Sequence, residues 1–132
     1  MDDKQKIVKS FRDLDVYKLA FDSAMQIFEL TKNWPLEERY SATDQIRRSS
    51  RSVCANLAEA WRKRRYPAHF VSKLSDSDSE AAETEVWIDF GFNCNYLKDD
   101  DYEILKDNYD HIERMLTKMI SSPGKWCLNL KK

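Results

Sequence analysis

Apolar residues recur three and four positions apart through four long stretches of this chain, and only three prolines and two glycines interrupt them. That spacing returns side chains to one face of an α-helix, whereas a strand needs alternation, and no alternating run here exceeds a few positions. An all-α protein follows. Four amphipathic helices joined by short connections predict an antiparallel up-down-up-down four-helix bundle. At 132 residues there is room for one such domain, large enough to bury a core without disulfides or metals. Residues 1–10 read as a polar lead-in, 11–122 as the bundle and 123–132 as a tail.

The first helix is expected from about Asp13 to Asn33, with Tyr17, Ala20, Phe21, Ala24, Phe28 and Thr31 inward, and Trp34-Pro35 ends it. Ser41 with Asp44 three residues on predicts a capping box that opens a second helix running to about Arg65. Pro67 suits the first turn of a third helix, which should reach about Leu97. Its inward row is Phe70, Leu74, Ser77, Ala81, Thr84, Ile88, Gly91 and Asn95, largely small residues that let a neighbouring helix come close. Asp99, Asp100 and Asp101 suit the positive end of a fourth helix, which carries Tyr102, Leu105, Tyr109, Ile112, Leu116 and Met119 inward and stops at Ser122-Pro123-Gly124.

The second helix joins a packing face to a cationic one. At about 100° per residue, Arg47, Arg48, Arg51, Arg62 and Arg65 fall within an arc of roughly 100°. Beside it runs an apolar stripe of Ile46, Ser50, Val53, Cys54, Leu57 and Trp61. Guanidinium groups gathered on one arc repel each other unless phosphates or carboxylates stand nearby. Bulk charge does not explain them, because the formal net charge is -1. The asymmetry is local: Arg47 to Arg65 holds seven basic residues and one acid, whereas Asp76 to Glu113 holds thirteen acids and only Lys98 and Lys106 against them. Two functions fit. In one, Arg47, Arg48, Arg51, Arg62, Lys63, Arg64 and Arg65 bind RNA or DNA through phosphate contacts, without reading bases. In the other, the same side chains pair with acidic surfaces of further subunits or of a partner protein.

The C-terminal half of the third helix is apolar almost all round. Val86, Phe90 and Leu97 lie opposite its inward row, with Trp87 and Tyr96 between, and a helix apolar on every side is usually buried on every side. Val86, Trp87, Phe90, Tyr96 and Leu97 are therefore expected in a subunit interface, unless the tail covers them through Trp126. Asn56 and Glu59 on the second helix, with Glu83 and Thr84 on the third, are candidates for a hydrogen-bonded cluster between helices.

No catalytic or metal chemistry is expected. Neither His69 nor His111 follows a glutamate by three residues, so the ExxH pair of di-metal bundles is missing, as are glycine-rich phosphate loops and HExxH. Cys54 sits in the apolar stripe and reads as packing rather than as a nucleophile. Cys54, Cys94 and Cys127 show no paired spacing, which suits free thiols in a reducing cytoplasm. The N-terminus lacks an apolar signal core, and no stretch approaches a membrane span. No cofactor and no membrane partner is expected.

Several short segments together resemble one known family. Phe11-Arg12-Asp13-Leu14, Gln45-Ile46-Arg47-Arg48-Ser49-Ser50, Ser52 through Ala60 and Glu83-Thr84 resemble, in order and spacing, the bacterial four-helix bundle proteins first noticed in intervening sequences of 23S ribosomal RNA genes. The resemblance spans residues 11 to about 120. It implies a closed bundle, commonly assembled as a pentamer, with no known enzymatic activity. A related branch serves as the accessory protein of diversity-generating retroelements and binds reverse transcriptase and nucleic acid through a basic surface. This chain departs from the family pattern SxPxNIAEG, with Cys54 at the proline and Ala60 at the glycine, which implies a straighter second helix. Ala81 stands where one of two paired glutamates is usual.

Overall fold

The computed structural model describes residues 7–128. Four helices form: α1 Asp15–Thr31, α2 Ala42–Arg62, α3 Pro67–Asn93 and α4 Asp99–Ser121, with short 3-10 turns at Phe11–Asp13, Leu36–Glu38 and Pro123–Lys125. The described residues include no strand, and none of their helices is long and apolar enough to cross a membrane. Within them, α1 and α3 each pack on both α2 and α4 while their own backbones stay apart, so they stand at opposite corners of a four-helix bundle. Between α2 and α3, Ser49 meets Thr84, Val53 meets Ser77 and Glu59 meets Lys73, so partners run in opposite order along the two helices.

The expected apolar faces of α2 and α4 are the buried ones except at Tyr102, which stays half-buried at the start of α4 and donates its hydroxyl to Asp89 of α3 at 3.0 Å. Ile46, Ser50, Val53, Cys54, Leu57 and Trp61 all lie inside, as do Leu105, Tyr109, Ile112, Leu116 and Met119. Burial alone pushes the Cys54 thiol up to about 12, so it stays protonated in the core.

The inward row of α1 is Val16, Ala20, Ser23, Ile27 and Thr31, and of the expected row only Ala20 and Thr31 are buried. Short side chains let α1 settle against two helices at once, and the Ser23 hydroxyl accepts the Asn108 amide of α4 at 3.2 Å. Tyr17 and Phe28 are left half-buried on the rims, and Phe21 is 47% exposed.

Three helix ends also differ from expectation. The capping box forms at Ser10 and Asp13, ahead of α1, and not at Ser41. There Glu38 takes over: its carboxylate accepts the Ser41 hydroxyl at 2.6 Å and the Ala42 N–H at 3.3 Å. The second helix stops at Arg62 rather than Arg65. The third stops at Asn93 rather than Leu97, because Asn95 turns left-handed at φ 65°. Tyr96 N–H then donates to the Gly91 carbonyl at 2.8 Å and Asn95 N–H to that of Phe92 at 3.0 Å, a Schellman motif with asparagine in the usual glycine place. Asn95 is thereby exposed, not inward.

A half-buried acid marks the α3–α4 seam. One carboxylate oxygen of Glu113 is buried without a hydrogen-bond donor. Burial first, then Glu85, Asp78 and Asp110 nearby, raise this carboxyl from its usual range to about 8. The folded state therefore holds the proton more tightly than the unfolded chain, and stability should fall as pH rises from the ordinary carboxyl range through about 8. Glu113→Gln is expected to flatten that fall and to gain about 1–2 kcal/mol at pH 9, allowing for the water that reaches the seam. Denaturant melts of both proteins at pH 5 and pH 9 check it; parallel pH profiles would contradict it.

Candidate nucleic-acid interface

The cationic residues expected on one arc divide into two groups: Arg62 shares the face of Arg51 but stands at the far end of α2, and beyond Arg62, where α2 ends, the helical phase is lost. Arg62 follows Arg51 by eleven positions, about 16 Å along the axis.

The first group surrounds an open depression of about 620 Å³ lined by Arg39, Tyr40, Thr43, Asp44, Arg47, Arg48, Arg51, Ser52 and Ala55. Four guanidiniums and one carboxylate share this space. Arg47 is held from below: its Nε donates to Thr31 Oγ1 at 2.8 Å, Nη2 reaches the Phe28 carbonyl at 3.4 Å, and the guanidinium lies 4.8 Å over the Phe28 ring. Arg51 lies over the same ring at 5.8 Å and is exposed. Arg48 leans the other way, bonded to Glu83 of α3 at 2.7 Å and near Glu80 at 3.5 Å, and these acids raise its pKa further. Arg39 is exposed beside Tyr40, at 5.7 Å from that ring. Sequence periodicity misses Arg39 and Tyr40, since both lie outside α2 and only the turn before it swings them to the rim.

The second group gathers at the far end of α2. Arg62 and Lys63 line a smaller depression of about 350 Å³ with Phe11, Ala58 and Glu59. Arg64 lies 3.6 Å over the Trp61 ring, and its Nε donates to the Trp61 carbonyl at 2.8 Å, so this guanidinium caps α2. Burial lowers its pKa. Arg65 is exposed in the following turn. The tail folds over this end: Trp126 packs edge-on to Trp61, and Leu128 N–H donates to the Arg64 carbonyl at 3.0 Å.

The expected polar cluster divides into four separate contacts, one for each of its residues. Asn56 donates to its own helix at the Ser52 carbonyl, 3.0 Å, and Glu59 pairs with Lys73 at 2.8 Å. Glu83 accepts Arg48 and, at 3.2 Å, the Trp87 indole N–H. Thr84, fully buried, exchanges a 2.8 Å bond with Ser49, a partner the sequence did not single out. Side-chain direction around each helix, not proximity in sequence, sets these partners.

Of the five residues expected at a subunit contact, Val86 is 50% and Phe90 55% exposed, and Trp87 is half-buried. The other two are used within the chain. Tyr96 donates its hydroxyl to Glu38 at 2.7 Å, and Leu97 is buried at 7% exposure, because the end of α3 at Asn93 turns both back onto the bundle. Trp126 lies on Trp61 and not over Val86 and Phe90. A second apolar patch, Phe21 and Met25 on α1, is 47% and 46% exposed. Among the described residues, no three His, Cys, Asp or Glu side chains are placed to hold a metal ion.

A family model described as 23S rRNA-intervening sequence protein matches residues 12–118. A solved structure is similar at a TM-score of 0.72: a protein with unknown function from the S23 ribosomal protein family of Bacteroides thetaiotaomicron. It is 29% identical, and the match covers 80% of this chain and 97% of that one. No curated protein matches this chain.

Proposed function

We propose, starting from a chain that belongs to the 23S rRNA-intervening sequence protein family, that it is a non-enzymatic bundle. It assembles with copies of itself and holds nucleic acid by its phosphates. The observation that carries this reading is the depression rimmed by Arg39, Arg47, Arg48 and Arg51 against the single carboxylate of Asp44. Arg47 is anchored and Arg48 is matched by Glu83, which leaves Arg39 and Arg51 to meet a polyanion. Two phosphate contacts make weak, salt-sensitive and sequence-indifferent binding. Copies of the chain on one strand multiply that grip without any new contact.

The two exposed apolar patches support the assembly. Phe21 and Met25 lie on α1, Val86 and Phe90 on α3, and these helices occupy opposite corners. Unlike patches on opposite sides favour head-to-tail contacts, which form a ring where the rotation between copies closes, over a two-fold dimer. A pentamer, as the family resemblance implies, satisfies that geometry. The three thiols Cys54, Cys94 and Cys127 are free, in keeping with a cytoplasmic place.

A second reading has its own support. Arg48 already pairs with Glu83 and Glu80 of its own chain, and Arg39 and Arg51 in a scaffold protein would take carboxylates of a neighbour in the same way. Fluorescence anisotropy with a labelled oligonucleotide at low ionic strength, alongside light scattering, separates the two. Saturable binding by an assembly of several copies is expected. An assembly indifferent to nucleic acid would overturn the first reading in favour of the second.

A further inference from the structure

The turn between α1 and α2 presents an aromatic ring to water under unusually firm restraint. Tyr40 is 83% exposed, yet the backbone on both sides of it is tied down through Glu38. That one carboxylate accepts the Ser41 hydroxyl at 2.6 Å, the Ala42 N–H at 3.3 Å and, from the end of α3, the Tyr96 hydroxyl at 2.7 Å. Tyr96 in turn packs on Trp34 at 5.3 Å between ring centroids. The Tyr40 ring lines the arginine depression, with the Arg39 guanidinium 5.7 Å from its centroid.

We infer that the depression selects single-stranded nucleic acid: one base stacks on Tyr40 while the adjoining phosphates meet Arg39 and Arg51. This rests on the phosphate-binding reading above and adds the substrate class. A duplex keeps its bases stacked on one another and has no free face to offer, whereas an unpaired strand does. The phosphates bring charge to a rim where guanidiniums outnumber carboxylates. The aromatic ring brings the preference for unpaired bases. Stacking needs no hydrogen-bond reader, so sequence preference is weak and single strands of RNA and DNA are both bound.

The test compares single-stranded RNA, single-stranded DNA and a DNA duplex on the whole protein, by anisotropy, for wild type, Tyr40→Ala, Tyr40→Phe and Arg51→Ala. Tyr40→Ala is expected to weaken single-strand binding by about 5- to 150-fold with little change on duplex, and Tyr40→Phe to keep it. Arg51→Ala weakens both. Because Tyr40 is exposed, its variants melt where wild type does. If Arg51→Ala weakens binding but Tyr40→Ala leaves the single-strand preference unchanged, stacking is wrong and the phosphate reading stands. If no nucleic acid binds at all, both fall. A Tyr40→Ala protein whose mass by light scattering drops to the monomer would place the ring in a subunit contact and overturn the inference.

Discussion

Replacing Arg39 and Arg51 together by glutamate is expected to lower nucleic-acid affinity by about a hundredfold or more while leaving the fold intact. Each contact between a guanidinium and a phosphate contributes roughly 1.5–3 kcal/mol, and losing two of them reaches that factor before repulsion by the new carboxylates is added. Both side chains are exposed, so the melting temperature should stay close to that of wild type. Their neighbours do not offer so clean an experiment. Arg48→Glu would set a third carboxylate against Glu80 and Glu83 at the α2–α3 seam, and Arg47→Glu would bury charge against the Phe28 ring and carbonyl. Anisotropy with single-stranded RNA and thermal melts by circular dichroism check the prediction. A double variant that binds like wild type would show that the depression is not the site.

Gly91→Val should have the largest effect on stability. A Cβ at this position would lie 2.7 Å from both Cη2 and Cζ2 of the Trp34 ring and 3.4 Å from Leu97 Cδ1. Trp34 is 6% exposed and has little room to retreat, and Leu97 and Tyr96 hold the far side. Overpacking of this kind costs about 2–3 kcal/mol, and the better helix propensity of valine over glycine offsets only part of it. For a chain of this size that is a fall in melting temperature of roughly 4–10 °C. Gly91 is thus the place where the indole that follows α1 docks onto α3. The small residues of α3 do allow close approach, but at Gly91 the visitor is a side chain rather than another helix. An unchanged melt would mean that the indole can leave this pocket at no cost.

The fold was legible where one face of a helix is unambiguous. On α2 and α4 the large apolar residues and the small ones agree on a single direction, so the buried rows read directly from spacing, with Tyr102 in the first turn of α4 the exception. On α1 they disagree. Tyr17, Phe21 and Phe28 outweigh Ser23 and Val16 as markers of an inner face, but it is the set with Ala20, Ser23 and Thr31, joined by Val16 and Ile27, that lets α1 approach two neighbours, so spacing alone points to the aromatic row. Asn95 carried a usable signal, since asparagine is one of the few residues at ease in a left-handed turn, and it would have placed the end of α3 correctly.

The candidate site was legible only in part. Arg47, Arg48 and Arg51 read correctly as neighbours because an unbroken helix carries them. Arg65 does not join them, because helical rotation does not continue beyond Arg62, where the Arg64 guanidinium on Trp61 closes the helix. Arg39 and Tyr40 reach the rim through a turn whose shape depends on Glu38 bonding to Ser41 and to the distant Tyr96. No local pattern encodes that bond. The pairing of Arg48 with Glu83 is equally invisible, since it depends on how α2 and α3 are rotated against each other.

The salt dependence of binding tests the central claim most directly. If phosphates sit on Arg39 and Arg51, the logarithm of the single-strand association constant should fall with the logarithm of salt concentration at about -0.7 for each phosphate held, roughly -1.4 for each subunit engaged. The Arg39→Glu/Arg51→Glu variant should lose most of that slope. A wild-type affinity that salt leaves unchanged, or a variant with the same slope as wild type, would contradict the account.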